Sequence, residues 1–133
     1  MQNIDETQIK DNFRAVRDNI DRAARKAGQN PADITLVAVS KTYPAEAIRY
    51  AVEAGADNIG ESKIQEALPK IDDLGRITHW HLIGHLQRNK AKKAVEYFDI
   101  IQSLDSMRLA RKISQEAEKQ NKTIDCLIEM NSS

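Results

Sequence analysis

The run Ile34-Thr35-Leu36-Val37-Ala38-Val39-Ser40-Lys41-Thr42-Tyr43-Pro44 decides how this chain folds. From Ile34 to Val39 only Thr35 is polar, and Ile34, Val37 and Val39 are β-branched. A continuous apolar run of this kind reads as a buried parallel strand, since a half-exposed strand would alternate with polar residues. The run stops on Lys41, and Pro44 can open a helix three residues later. Lys41 is therefore expected at a strand-to-helix turn, where α/β folds build their sites. A lysine there can act as an amine nucleophile toward a carbonyl, because partial burial disfavours the ammonium form. Alternatively it is a surface residue with its stem along the strand end.

Working outward, residues 5–27 carry Ile9, Phe13, Val16, Ile20 and Ala24 or Ala27 at the spacing of one helix face. Gly28 supplies a C-cap and Asn30-Pro31 a turn. Beyond the lysine run, a helix from Pro44 to about Ala54 is expected, stopped by Gly55. A short strand Asp57–Gly60 follows, then a helix from Glu61 to Leu74 in which Pro69 should bend or shorten the second half. His79–Gly84 is the third strand and the basic segment Arg88–Tyr97 its helix. Asp99–Leu104 is the fourth strand, Asp105 or Ser106 caps a helix running to about Gln120, and Ile124–Met130 is the fifth strand.

An extra helix followed by βαβαβαβαβ with short connections predicts a parallel sheet. Two architectures fit: a doubly wound open sheet, or part of a (βα)8 barrel. A complete barrel needs about 250 residues; this chain has 133.

Composition narrows the function. Twenty basic residues balance twenty acidic ones, so no overall field recruits nucleic acid or an acidic membrane. The stretch Met1–Thr7 lacks the pattern of a signal peptide, and no run approaches a membrane-spanning length, so a cytoplasmic protein is expected. The single cysteine, Cys126, lies in an apolar run and is expected to be buried. Neither a Gly-x-Gly-x-x-Gly after the first strand nor a P-loop is present, which removes support for a dinucleotide or NTPase site.

The candidate site is positional. Lys41, the turn Gly60-Glu61-Ser62, the segment Gly84-His85-Leu86-Gln87 and the stretch Ser103–Ser106 all follow strand carboxyl ends, which lie on one face of a parallel sheet or barrel. They can meet over one ligand. His79, His81 and His85 raise the question of a metal, but no cysteine or obvious fourth ligand stands nearby, and neutral imidazoles hydrogen-bonded at a strand end account for them. Arg88, Lys90, Lys92 and Lys93 read as a solvated helix face.

Several stretches taken together resemble the pyridoxal phosphate homeostasis proteins of the YggS, or proline synthase co-transcribed, type, which share the barrel fold of the alanine racemase N-terminal domain. They are Leu36–Thr42, Gly60-Glu61 with Gln65-Glu66, Trp80–Lys90, Ile101–Ser106 and Glu129-Met130-Asn131-Ser132. In this order they cover nearly the whole chain. The resemblance implies a parallel (βα)8 TIM-type barrel, here partial, with the extra N-terminal helix and about four and a half βα units. It implies pyridoxal 5′-phosphate as cofactor, held as a Schiff base on Lys41, with Ser62, His81, Gly84 and Ser103 as further cofactor-binding positions and a role in vitamin B6 homeostasis in place of turnover. Ser62 stands where the family usually has asparagine. In the family the phosphate loops belong to the C-terminal half, so this polypeptide is expected to bind the cofactor weakly and, with open edges, to associate, whereas the parent protein is expected to be a monomer. The alternatives are a pyridoxal phosphate enzyme such as an amino-acid racemase, and a cofactor-free structural or interaction module.

Overall fold

The computed structural model describes residues 4–130. The start at Met1–Asn3 and the last pair of the terminal motif, Asn131-Ser132, lie outside the described residues.

Helix α1 spans Glu6–Lys26, opened by the Asp5 carboxylate, which accepts the Gln8 N–H, and stopped at Ala27 and Gly28. Five strands follow: β1 (Ala38–Val39), β2 (Asn58–Glu61), β3 (His79–Leu82), β4 (Ile100–Leu104) and β5 (Asp125–Ile128). They alternate with α2 (Ala45–Glu53), α3 (Ile64–Leu74), α4 (Ala91–Tyr97) and α5 (Met107–Lys119). All strand pairs are parallel and the spatial order is β1-β2-β3-β4-β5. That order separates the two candidate architectures. A doubly wound sheet reverses direction after its first strands, whereas a barrel adds each strand beside the last.

Register divides the sheet into two faces. Ile59 pairs with Trp80, and Leu82 with Ile101, on the face packed under the helices; all four are buried. Ile64, Ala67 and Ile71 of α3, Ala94 and Val95 of α4, and Leu109 and Ile113 of α5 complete this core. The other face carries Asn58, Gly60, His81 and Gln102, since alternate residues of a strand point to opposite sides.

Several expectations are corrected. The first strand is two residues long and does not run from Ile34 to Lys41, and Val39, expected to be buried, is 50% exposed. With β2 as its one neighbour among the described residues, β1 is an edge, and an apolar cleft of about 320 Å³ separates it from Phe13 and Val16 of α1. Glu61 ends a strand and does not begin a helix. Pro69 lies inside an uninterrupted α3, on its exposed side, where a single backbone hydrogen bond is forfeited without steric conflict in the core. The basic segment begins as a 3₁₀ turn, Arg88–Lys90, before α4. Cys126 is only half-buried.

Candidate functional site

Because the strands are parallel, the turns after β1, β2, β3 and β4 share one rim, and neighbouring turns are tied to each other. Lys41 lies in the turn after β1. It is exposed, so the partial burial expected to release its neutral amine is not found. Among the described residues no carboxylate pairs with it.

The turns after β2 and β3 touch. Glu61 C=O accepts the Ile83 N–H at 2.9 Å, and the Ser62 carbonyl fills the space a Cβ on Gly84 would need. Only glycine fits at position 84 without movement of one turn. Between the turns after β3 and β4, His85 Nδ1 lies 3.7 Å from Asp105 Oδ2, and both residues are exposed. Beyond β4, the Leu104 carbonyl accepts the Glu129 N–H at 2.8 Å.

Below the rim, His81 is 3% exposed and both its ring nitrogens are engaged. Nε2 lies 2.8 Å from Asn58 Oδ1 and Nδ1 lies 2.9 Å from Gln102 Nε2. An amide oxygen only accepts and an amide nitrogen only donates, so the ring carries its proton on Nε2 and is neutral. Burial lowers its pKa from the ordinary 6.5, a shift that Asp99 opposes and His79 assists. Three strands are thereby cross-linked by one side-chain chain. His79 is exposed and His85 sits on the rim, so the three histidines do not converge; among the described residues no group of three potential ligands is disposed around a metal.

Ser62 is half-buried on the rim, and Ser103 is fully buried, its Oγ without a hydrogen-bond partner. The β4–β5 register shifts between Ile101 and Leu104, the stretch that contains Ser103. The rim thus carries the exposed amine of Lys41 and the glycine-only turn pair of Ser62 and Gly84, with the unpartnered Ser103 hydroxyl buried near the end of β4.

Sequence reading placed Glu61 in the turn after β2 but missed its burial and its partner, Lys70. Glu61 is fully buried at the end of β2, and Lys70 Nζ reaches it from α3 at 3.0 Å to Oε1 and 3.1 Å to Oε2. The signal was present: a glutamate where the burial pattern of β2 continues, and nine residues later a lysine on the apolar flank of α3.

A parallel sheet wound in one direction, with functional turns gathered at its carboxyl ends, defines the class of barrel-type α/β proteins. Within it, residues 12–133 match the family described as alanine racemase, N-terminal domain, and the chain belongs to that family. The pyridoxal phosphate homeostasis protein of Escherichia coli K12 is 40% identical over 128 residues, which cover 92% of this chain and 54% of that protein. PipY of Synechococcus elongatus, solved with PLP bound, superposes with a TM-score of 0.75 at 40% identity, covering 86% of this chain and 55% of PipY. Histidine racemase from Leuconostoc mesenteroides has a TM-score of 0.63 at 15% identity over 91% of this chain and 30% of the racemase, a likeness of fold alone. The chain spans about half the length of the curated relatives it matches. Its five strands are accordingly a partial barrel with an extra N-terminal helix.

Proposed function

We propose that this chain is the part of a pyridoxal 5′-phosphate-binding protein that carries the cofactor lysine, Lys41, and that the whole protein serves intracellular homeostasis of the cofactor. The observation that carries the reading is the position of Lys41: an exposed primary amine on the rim where four strand-end turns adjoin, in a chain 40% identical to a protein solved with PLP bound. Pyridoxal phosphate supplies an aldehyde, with which a primary amine condenses with loss of water. On this reading the touching turns of Ser62 and Gly84 border the cofactor site, His81 stiffens the sheet beneath it as a neutral imidazole, and Ser103, whose hydroxyl has no partner in the fold, is a further proposed cofactor position.

Holding in place of turnover follows the name of the curated relatives, since the racemase likeness extends to fold only. The balanced charge favours a small-molecule partner over nucleic acid, and no described helix is long and apolar enough to cross a membrane. A cytoplasmic location and a monomeric parent complete the reading.

The test is reductive trapping. Pyridoxal phosphate is added to the chain, borohydride makes even weak condensation permanent, and peptide mass spectrometry locates the adduct. The expected result is a pyridoxyl group on Lys41 and its loss in Lys41→Ala. An adduct spread evenly over the exposed lysines in both proteins overturns the assignment.

A further inference from the structure

The peptide group that enters Lys41 is held by more bonds than an ordinary turn requires. The Ser40 carbonyl accepts the Tyr43 N–H at 3.0 Å, closing a four-residue turn around Lys41 and Thr42. The same oxygen accepts from Lys70 Nζ at 3.0 Å. Ser40 Oγ donates to Glu61 Oε2, and Ser40 N–H donates to the Gly60 carbonyl at 3.0 Å. Ser40 Oγ also approaches the Gly60 carbonyl at 3.4 Å, so every polar group of Ser40 is engaged and four of the five bonds run to β2 or α3.

Inside this turn Thr42 has φ 71°, the left-handed region that a β-branched residue avoids. Such a conformation persists only where its surroundings over-determine it. Here the over-determination has one centre. The Lys70 ammonium spends two contacts on the fully buried Glu61 and a third on the Ser40 carbonyl. An ammonium has three donors to satisfy, and the acceptor that Lys70 takes beyond Glu61 is the Ser40 carbonyl, so one side chain joins the buried charge pair to the turn.

We propose that Lys70, with Glu61, is a positioning residue: a latch that fixes the Ser40–Tyr43 turn and thereby sets the direction from which the Lys41 amine meets its aldehyde. The inference rests on the reading of Lys41 as the cofactor lysine. Lys70 grips Ser40 from the helix-covered side of the sheet, opposite the face of Gly60 and His81. It therefore acts through the backbone and does not touch the ligand.

The test uses the double variant Glu61→Gln/Lys70→Met, which removes the latch without leaving a buried unpaired charge, together with Lys70→Arg. Hydrogen exchange of the Tyr43 amide reports the turn, and borohydride trapping of pyridoxal phosphate, scored as Lys41 against exposed Lys119 in one digest, reports positioning. The double variant should keep the thermal midpoint within a few degrees, exchange Tyr43 roughly tenfold or more faster with core-strand amides unchanged, and trap at Lys41 roughly tenfold less. Lys70→Arg should restore part of both signals. A folded double variant with wild-type exchange at Tyr43 overturns the latch. Faster exchange with undiminished trapping overturns the positioning role. If the wild-type chain does not favour Lys41 over Lys119, the cofactor assignment falls, while the exchange data still decide whether the latch exists.

Discussion

The Ser62 carbonyl occupies the place where a side chain on Gly84 would begin. Two strand-end turns thus meet backbone to backbone, and neither partner can yield by rotating a side chain. Gly84→Ala should force one turn outward and cost about 1 to 3 kcal/mol. Urea unfolding of the variant checks this; an unchanged midpoint would show that the turns are free to separate. Trapping of pyridoxal phosphate at Lys41 should weaken in parallel.

The Glu61–Lys70 pair makes a prediction about charge. Lys70→Met alone leaves a carboxylate buried without its counter-ion and should cost about 3 to 5 kcal/mol. Adding Glu61→Gln should recover a large part of that loss, because a neutral amide is far cheaper to bury. Denaturant midpoints of the single and double variants give the comparison. Equal losses would mean that Glu61 finds another partner once Lys70 is gone.

His81 sets a pH dependence whose sign follows from its surroundings. Burial depresses its folded pKa below the ordinary 6.5, so between the two values the unfolded chain binds the proton and the folded chain does not. Stability from this residue is complete above about 6.5 and is lost as pH falls toward the folded value. Protonation would also place an N–H at Nδ1 against the Gln102 amide donor. Unfolding midpoints at pH 7.5 and pH 5 should differ less in His81→Gln than in the parent; identical differences would remove His81 as the cause.

Ser103 carries a buried hydroxyl without a partner. Such a group costs about 1 to 3 kcal/mol, so Ser103→Ala should be neutral or stabilising in the cofactor-free chain. The same change should reduce pyridoxal phosphate trapping if the hydroxyl serves the ligand. A destabilised variant would place a water or an unseen acceptor beside Oγ.

Both sheet edges expose apolar residues: Val39 is 50% exposed on β1, and Leu127 and Ile128 on β5 are 54% and 75% exposed. Unpaired edges of this kind recruit other strands. The isolated chain should associate in light scattering, and Ile128→Lys should reduce the association. A monodisperse monomer would refute this.

How far the fold could be read in advance is clearest at its two ends. Helix α1 was legible from Ile9 to Ala24 because its spacing is a property of the helix itself, and Gly28 marks the stop by the φ of 76° it adopts. The first strand misled. Ile34–Val37 are nearly as apolar as a central strand, yet only Ala38 and Val39 find ladder partners on β2, and composition does not reveal how far a neighbouring strand extends. Pro69 misled in the opposite direction, since its exposed placement on α3 depends on the packing of the other face.

The sequence by itself determined the alternation of strands and helices, the parallel class, and the arrival of Lys41, Ser62, Gly84 and Ser103 at or near strand carboxyl ends. These are local matters, written in periodicity and in glycine and proline stops. Only the tertiary structure decided that His81 would be held neutral by Asn58 and Gln102, that Ser103 would be left without a partner, and that Glu61 and Lys70 would clasp Ser40. Those partners stand on different strands and helices, and hydrogen bonds between them exist only once the sheet has set its register.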